Sequence, residues 1–347
     1  MKNLIEKLEQ THSLSGEEWV LLLTNRTPEL AEQLFEKARA LRNLHYGNRV
    51  FVRGLIEFTN YCKNNCYYCG IRLGNQNARR YRLTPEEILS CCREGYALGY
   101  RTFVLQGGED PFFTAEKIQQ LVRSIKTEFP QCAVTLSVGE HPREVYEAWR
   151  NAGADRYLLR HETADDCHYR SLHPAAMDPE NRRRCLYDLR ELGYQVGCGM
   201  MVGSPGQTPE HLAQDMKFIE ELQPHMVGIG PFLPQRDTPF GAEKAGDLDL
   251  TLFLLGCVRL MLPTVLLPST TALASLHPQG RELGILAGAN VCMPNLSPQS
   301  VREKYALYDN KLHSGEESAQ ALEELKKRMA AIGCEIVCHR GDHITKG

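Results

Sequence analysis

The 347-residue chain is 42% hydrophobic and 24% charged, and 40 Lys and Arg against 43 Asp and Glu give a formal net charge of −3. With no basic block and no acidic tail, nucleic acid and anionic membranes are excluded as expected partners; the charges scattered through Met1 to Lys7, and the lack of any apolar run long enough to span a bilayer, point to a cytoplasmic protein. Thirteen cysteines, an odd number spread over a long chain, argue against a disulfide framework and for a reducing, low-oxygen setting.

Helical segments come first. Ser15-Gly16-Glu17-Glu18 reads as an N-cap with acids in the first turn. Thr27-Pro28-Glu29-Leu30 opens a second helix, running to about Asn43, whose Leu30, Leu34, Ala38 and Leu41 make one apolar face. Residues 1–49 are expected to form a helical layer packed on the main domain. From Val50 onward, short apolar β-type runs alternate with longer amphipathic segments. The strand-like runs are 51–58, 102–106, 133–138, 156–160, 196–202, 226–232, 265–270 and 291–294. Helical patterns lie between them at 84–98, 115–128, 143–151, 179–192, 209–222, 248–262 and 279–288. Repeated βαβ units imply an α/β fold with a parallel sheet. Eight of them imply closure into a (β/α)8 TIM-type barrel over 50–300, because a doubly wound open sheet usually stops at about five or six strands. Thr84-Pro85-Glu86 and Thr208-Pro209-Glu210 each supply an N-cap, a proline and an acid where a helix should begin. The tail, from Gly315 through a Glu/Lys-rich helix to about Ile332, is expected to pack outside the barrel, in a C-terminal extension spanning 301–347.

The first strand runs into Asn60-Tyr61-Cys62-Lys63-Asn64-Asn65-Cys66-Tyr67-Tyr68-Cys69-Gly70, which places three thiols within eight positions on one loop. Thiolates so clustered are ligands for soft iron; four ligands complete a [4Fe-4S] cluster, and three leave one iron open. A structural zinc site normally takes four protein ligands in paired half-sites, and no second CxxC or HxxxH pair lies nearby, so zinc is the weaker reading. Three unrelated buried thiols are less favoured still, because Lys63, Asn64 and Asn65 are too polar for a core strand.

In a parallel barrel the working face is the ring of loops at the C-terminal ends of the strands. Strand two ends in Gln106-Gly107-Gly108-Glu109-Asp110-Pro111, where the glycines let backbone approach a ligand and Glu109 can accept from an ammonium. Strand three ends in Thr135-Leu136-Ser137-Val138-Gly139-Glu140, and strand four in Arg160-His161-Glu162-Thr163, an unusual composition for a core. Strand five leads into Gly199-Met200-Met201-Val202-Gly203, strand six into Gly228-Ile229-Gly230-Pro231-Phe232, strand seven into Pro268-Ser269-Thr270-Thr271-Ala272, and strand eight into Pro294-Asn295. Any one of these is ordinary turn chemistry; eight on one rim mark a site.

The CxxxCxxC spacing, with Tyr68 just before the third cysteine, resembles the signature of the radical S-adenosylmethionine (SAM) superfamily. The resemblance implies that the open iron of a [4Fe-4S] cluster chelates the amino and carboxylate groups of SAM, and that reductive cleavage yields a 5'-deoxyadenosyl radical. It also implies SAM contacts at Tyr68 and Ser137, and at Gly107-Gly108-Glu109, which resembles the superfamily's GGE motif. Glu162 fits a ribose hydroxyl, Arg182 the SAM carboxylate, and Gly199 to Val202, with Met200 and Met201, the adenine. Apart from the resemblance, Arg182 in the run Arg182-Arg183-Arg184 reads as a solvated helix face.

The likeness extends further. Ile56 to Cys62, Arg80-Tyr81-Arg82, Gln106 to Pro111, Ala154 to Ala164, Met201 to Thr208, Met226 to Phe232 and Ala289 to Pro294 together resemble the HydE family of [FeFe]-hydrogenase maturases, from about Val50 to Tyr308. This implies a barrel with an internal cavity and a role in assembling the hydrogenase's diiron subcluster. The implied substrate is a small organometallic species, an iron carbonyl-cyanide-cysteine unit made by the tyrosine-cleaving maturase HydG, with product passing to the GTPase scaffold HydF. Thr135, Arg160, Thr270, Thr271 and Ala272 would line an anion or carboxylate pocket, and the fixed guanidinium fork of Arg160 suits a carboxylate. An electron donor such as ferredoxin or flavodoxin is implied as well.

One departure stands out. Some members of that family bind a second iron-sulfur cluster through cysteines near the C-terminus, but 308–325 contains none here, and Cys334 and Cys338 read as non-ligands, so a second cluster is expected to be absent. The alternatives are a lysine mutase of the methylornithine synthase type, whose pocket must bind an amino acid at both ends; a biotin synthase, which needs extra cysteine positions; and a non-catalytic iron-sulfur carrier, which needs the thiols but not Glu109, Glu162 or Arg182.

Overall fold

The computed structural model describes residues 1–312 and 318–344; Gly315, where the sequence starts the tail helix, lies outside them. Three N-terminal helices precede the sheet, α1 (Lys2–Thr11), α2 (Gly16–Thr24) and α3 (Pro28–Tyr46), where the sequence showed two. A reciprocal capping box between Ser15 and Glu18 starts α2, and the Thr27 hydroxyl accepts from the Leu30 amide at the start of α3. Met1 caps α1 without a side-chain bond, so α1 lacks the start signal that exposes the other two.

The strands are β1 (Arg49–Val52), β2 (Gly54–Thr59), β3 (Thr102–Gly107), β4 (Ala133–Ser137), β5 (Arg156–Leu158), β6 (Gln195–Cys198), β7 (Met201–Val202), β8 (Met226–Val227), β9 (Gly230–Pro231), β10 (Val291–Cys292) and β11 (Glu335–Val337). Six of them, β2-β3-β4-β5-β6-β8, form one sheet in that order, and every pairing in it is parallel. The ring continues through 265–270, where the Val227 amide donates to Leu266 O and the Ser269 amide to Val291 O. It closes where Leu55 N donates to Pro294 O and Leu296 N to Leu55 O. A (β/α)8 barrel results. The expected first strand is broken at Arg53, where β1 leaves the ring to pair with β10 and β11, and the expected fifth strand is broken between β6 and β7.

Helices α4 (Pro85–Ala97), α5 (Ala115–Glu128) and α6 (Arg143–Asn151) cover the first half of the ring, followed by α7 (Asp166–Leu172), α8 (Pro179–Glu191) and α9 (Pro209–Leu222). Next come α10 (Leu248–Met261), α11 (Thr271–Leu276), α12 (Gly280–Leu286), α13 (Gln299–Arg302) and α14 (Ser318–Ala331). Apolar faces such as Ile118, Val122 and Ile125 of α5, or Met216, Ile219 and Leu222 of α9, bury against the outer face of the barrel. α10 is buried without a break from Thr251 to Met261, because α1 and α3 cover the side that a barrel helix normally shows to water.

The tail does more than pack outside. α14 lies on the exterior, but β11 adds to β1, and the residues after it close the base of the barrel. There Arg156, 3% exposed, donates to Asp342 Oδ1 at 2.6 Å, to Arg340 O at 2.7 Å and to Thr102 Oγ1 at 3.1 Å. Among the described residues no helix is long and apolar enough to cross a membrane.

Candidate active site

The cysteine loop is shaped by two side chains that the motif does not include. Asn60, fully buried at the end of β2, donates to Arg79 O at 2.9 Å and Lys304 O at 2.7 Å and accepts from Tyr81 N at 2.8 Å. Arg80 donates to the carbonyls of Asn60, Ile71, Arg72 and Asn75, gathering the loop's ends around one guanidinium. Held in this way, Cys62, Cys66 and Cys69 all open onto one cavity of about 350 Å³ at the C-terminal mouth of the barrel.

Burial pushes all three thiols up, Cys69 to about 12; neighbouring Cys69 raises Cys66 further, and Arg182 draws it partly back. They therefore rest as neutral thiols, and a metal would have to displace their protons. Among the described residues no three Cys, His, Asp or Glu side chains converge on a single metal ion. A cluster of four irons is wider than one ion, and space shared by three separated thiols fits it.

Around the same cavity stand Tyr68, Gly107, Gly108, Glu109, Ser137, Glu162 and Arg182. A methyl at Gly108 would lie 2.2 Å from Tyr61 O and 2.7 Å from Cys62 Cβ, so only glycine lets the strand-two turn touch the cysteine loop. Glu109 sits 3.2 Å from Lys63 Nζ and accepts from the Glu140 amide at 3.1 Å. Glu162 adopts φ 66°, rare for a residue with a side chain, and its Oε2 lies 3.1 Å from Arg160 Nη2 without hydrogen-bond geometry. Arg182 is not on a solvated face. It is 8% exposed and 2.8 Å from Glu140; burial disfavours its charge, but Glu140, Tyr169, Glu109 and Tyr68 together outweigh that and hold it above the usual range. Arg183 instead pairs with Asp166 and Arg184 with Asp188 on the outer side.

Arg160, Thr270, Thr271 and Ala272 line the inner part of the cavity. Arg160 Nε and Nη2, Thr270 Oγ1 and Glu162 Oε2 are buried polar atoms with no hydrogen-bond partner among the described residues, the pattern left where a ligand supplies the missing groups. Three expected contacts stand differently. Thr135 does not line the cavity; it is 1% exposed on β4 with its hydroxyl unpartnered. Of the strand-five residues only Met201 lines it, while the Met200 and Val202 side chains, both 0% exposed, belong to the hydrophobic core because the chain steps sideways between β6 and β7.

Sequence reasoning missed His173, whose Nδ1 faces Tyr169 O at 2.9 Å and whose Nε2 meets the Tyr68 hydroxyl at 3.0 Å, fixing that ring. Met177, 3.7 Å from Cys66 Sγ, was missed as well. So was the 305–311 strap, where Tyr305, Tyr308 and Lys311 line the cavity and Lys311 pairs with buried Glu57. No local motif marks these residues. Cys334 and Cys338 lie far from this mouth: Cys334 is beside Arg42, and Cys338 is under Gly99.

The chain matches the Radical SAM superfamily over residues 56–219, and the barrel and thiol-lined mouth are those of a radical SAM enzyme, a class that uses a [4Fe-4S] cluster and SAM. It is 44% identical over 332 residues to the "[FeFe] hydrogenase maturase subunit HydE" of Thermotoga maritima, covering 96% of this chain and 94% of the relative. The chain belongs to this HydE family of maturases. It is also 30% identical to 3-methylornithine synthase of Methanosarcina acetivorans, covering 95% of this chain and 92% of that one. The crystal structure of methylornithine synthase (PylB) superposes with a TM-score of 0.85 at 29% identity, covering 96% and 97% of the two chains.

Proposed function

We propose that this protein cleaves SAM reductively in the assembly of the diiron subcluster of an [FeFe]-hydrogenase. What carries the reading is the meeting of three thiols, Glu109, Glu162, Arg182 and the unpartnered Arg160 and Thr270 atoms on one cavity, in a chain 44% identical to a HydE maturase. Cys62, Cys66 and Cys69 would hold the [4Fe-4S] cluster with one iron open to SAM. Cluster and SAM together supply a 5'-deoxyadenosyl radical.

The chain's own residues do the rest. Glu109, steadied by Lys63 and the Glu140 amide, accepts from the SAM ammonium; Arg182 faces its carboxylate; Glu162 accepts from the ribose; and Met201, Tyr68 and Ser137 flank it. Arg160, Thr270, Thr271 and Ala272 hold the substrate's carboxylate, with Thr135 behind them. The enclosing barrel keeps bulk water from the radical. On this reading the substrate is an iron carbonyl-cyanide-cysteine species from HydG, the product passes to HydF, a ferredoxin or flavodoxin supplies the electron, and no second cluster takes part.

Anaerobic reconstitution with iron and sulfide, followed by SAM and dithionite, should give 5'-deoxyadenosine well above background. None, with the cluster present, overturns the enzyme reading. Deleting the gene should abolish [FeFe]-hydrogenase activity while the hydrogenase polypeptide persists; normal activity overturns the maturation role.

A further inference from the structure

Among the described residues four that are not glycine have positive φ: His12, Glu162, Gln223 and Asn310. His12 and Gln223 are the left-handed C-caps of α1 and α9, and Asn310 is of a type that adopts this backbone readily. Neither explanation covers Glu162, which stands at φ 66° on the rim of the cavity. Such a backbone persists only where its surroundings over-determine it.

Two elements do so here. On one side the Glu162 amide donates to Gly199 O at 3.1 Å, and the Glu162 carbonyl accepts from the Met201 amide at 3.4 Å. On the other side α9 presents Asp215, 0% exposed, whose Oδ1 accepts from the Ala164 amide at 2.6 Å and lies 3.3 Å from His161 Nε2. The buried His161 ring meets Phe218 of the same helix edge-on at 4.8 Å, and its Nδ1 accepts from the Gly199 amide at 3.4 Å. One carboxylate oxygen therefore touches the residue before Glu162 and the second residue after it. Burial disfavours the charge of Asp215, and its Oδ2 has no partner among the described residues, so the group is costly where it lies. Docking of α9 does not call for it, because Met216, Ile219 and Leu222 already bury that helix's apolar face.

We propose that Asp215 is a positioning residue for SAM: by holding His161 and the Ala164 amide together, it fixes the left-handed turn that aims the Glu162 carboxylate at the ribose. This rests on the reading of Glu162 as the ribose acceptor and extends it to a residue that does not itself line the cavity.

The test uses the full-length protein with its cluster reconstituted, titrated anaerobically in a calorimeter without reductant, so that nothing turns over. The probes are SAM and its 2'-deoxy and 3'-deoxy analogues. The native protein is expected to bind SAM about tenfold more tightly than one of the two analogues, and Glu162→Gln should bring that ratio within about twofold. Asp215→Ala should do the same, weakening SAM and leaving the analogue within about twofold, with iron content per chain unchanged. Asp215→Asn, which keeps an acceptor for the Ala164 amide, should retain most of the ratio. His161→Phe keeps a ring against Phe218 but removes both nitrogens; it should lower the ratio about threefold, and it decides the matter if Asp215→Ala does not fold. A native ratio in either variant overturns the proposal, as does an equal loss for SAM and the analogue, which is what a merely structural role would give. If Glu162→Gln abolishes the ratio and Asp215→Ala does not, the ribose reading stands and the positioning role is lost; a native protein that binds all three probes alike loses both.

Discussion

Glu109 owes its position to a residue with no side chain. Gly139 stands at φ 86°, and a methyl there would fall 2.0 Å from Glu109 Cγ and 2.2 Å from its Oε1. The substitution Gly139→Ala therefore strains the backbone and drives the carboxylate away from the cavity. Its KM for SAM in 5'-deoxyadenosine formation is expected to rise at least tenfold, with iron content per chain unchanged; a native KM would show that Glu109 does not bind SAM. Arg53 presents the opposite case. It is 1% exposed, and among the described residues its Nε and Nη2 have no partner and Nη1 meets only Met226 Sδ at 2.8 Å, while Arg156 adds repulsion and the Asp342 carboxylate is already paired with Arg156 and Arg340. An unpaired buried charge costs more than an apolar side chain of similar volume. Arg53→Met is thus expected to leave the denaturant midpoint unchanged or raise it, and a clear drop would mean that Arg53 is compensated in solution.

Among the elements, the tail shows what a sequence hides. The helices were legible because Thr84-Pro85 and Thr208-Pro209 announce their starts chemically, and both form capping boxes. The site was legible where its residues are contiguous: the three thiols, Gly107 to Glu109, and Glu162 beside Arg160. β11 and the base-closing residues were not legible, because a three-residue strand carries no periodicity and the role of Asp342 exists only once Arg156 lies buried opposite it. Asn60 and Lys311 were hidden in the same way, since Lys304 and Glu57 reach them from distant parts of the chain. The tail's importance is measurable. Asp342→Asn leaves Arg156 without its carboxylate. Because Asp342 is 39% exposed, the cost should be on the order of 1–3 kcal/mol rather than that of a fully buried pair. Urea unfolding of Asp342→Asn, Arg156→Gln and the double variant should show the double costing less than the sum; strict additivity would mean that the tail is not latched there.

Across the whole molecule, one consequence of burial accumulates. Of the twelve histidines, His141, His168, His173, His225, His339 and His343 are all held below the ordinary imidazole range, chiefly by burial, with His168 and His343 at about 4 and His173 at about 3. The folded chain resists protonating these rings, whereas the unfolded chain protonates them near pH 6.5. Between pH 6.5 and about 4 the unfolded state therefore binds more protons, and stability must fall as pH falls. The buried Asp215, raised by its desolvation, opposes this in part. The cluster-free protein should accordingly lose stability steeply on mild acidification, before most carboxylates titrate. His168 is the clearest single contributor, since burial disfavours its charge while its Nε2 meets Ser204 Oγ at 2.9 Å and its ring stacks on that of His211 at 4.6 Å. His168→Gln should flatten the dependence of unfolding free energy on pH in that window by about one proton's slope, roughly 1.4 kcal/mol per pH unit at most. Parallel slopes for the variant and the native chain from pH 6.5 to 4 would show that His168 takes up a proton in the fold, and would return the acid sensitivity to the carboxylates.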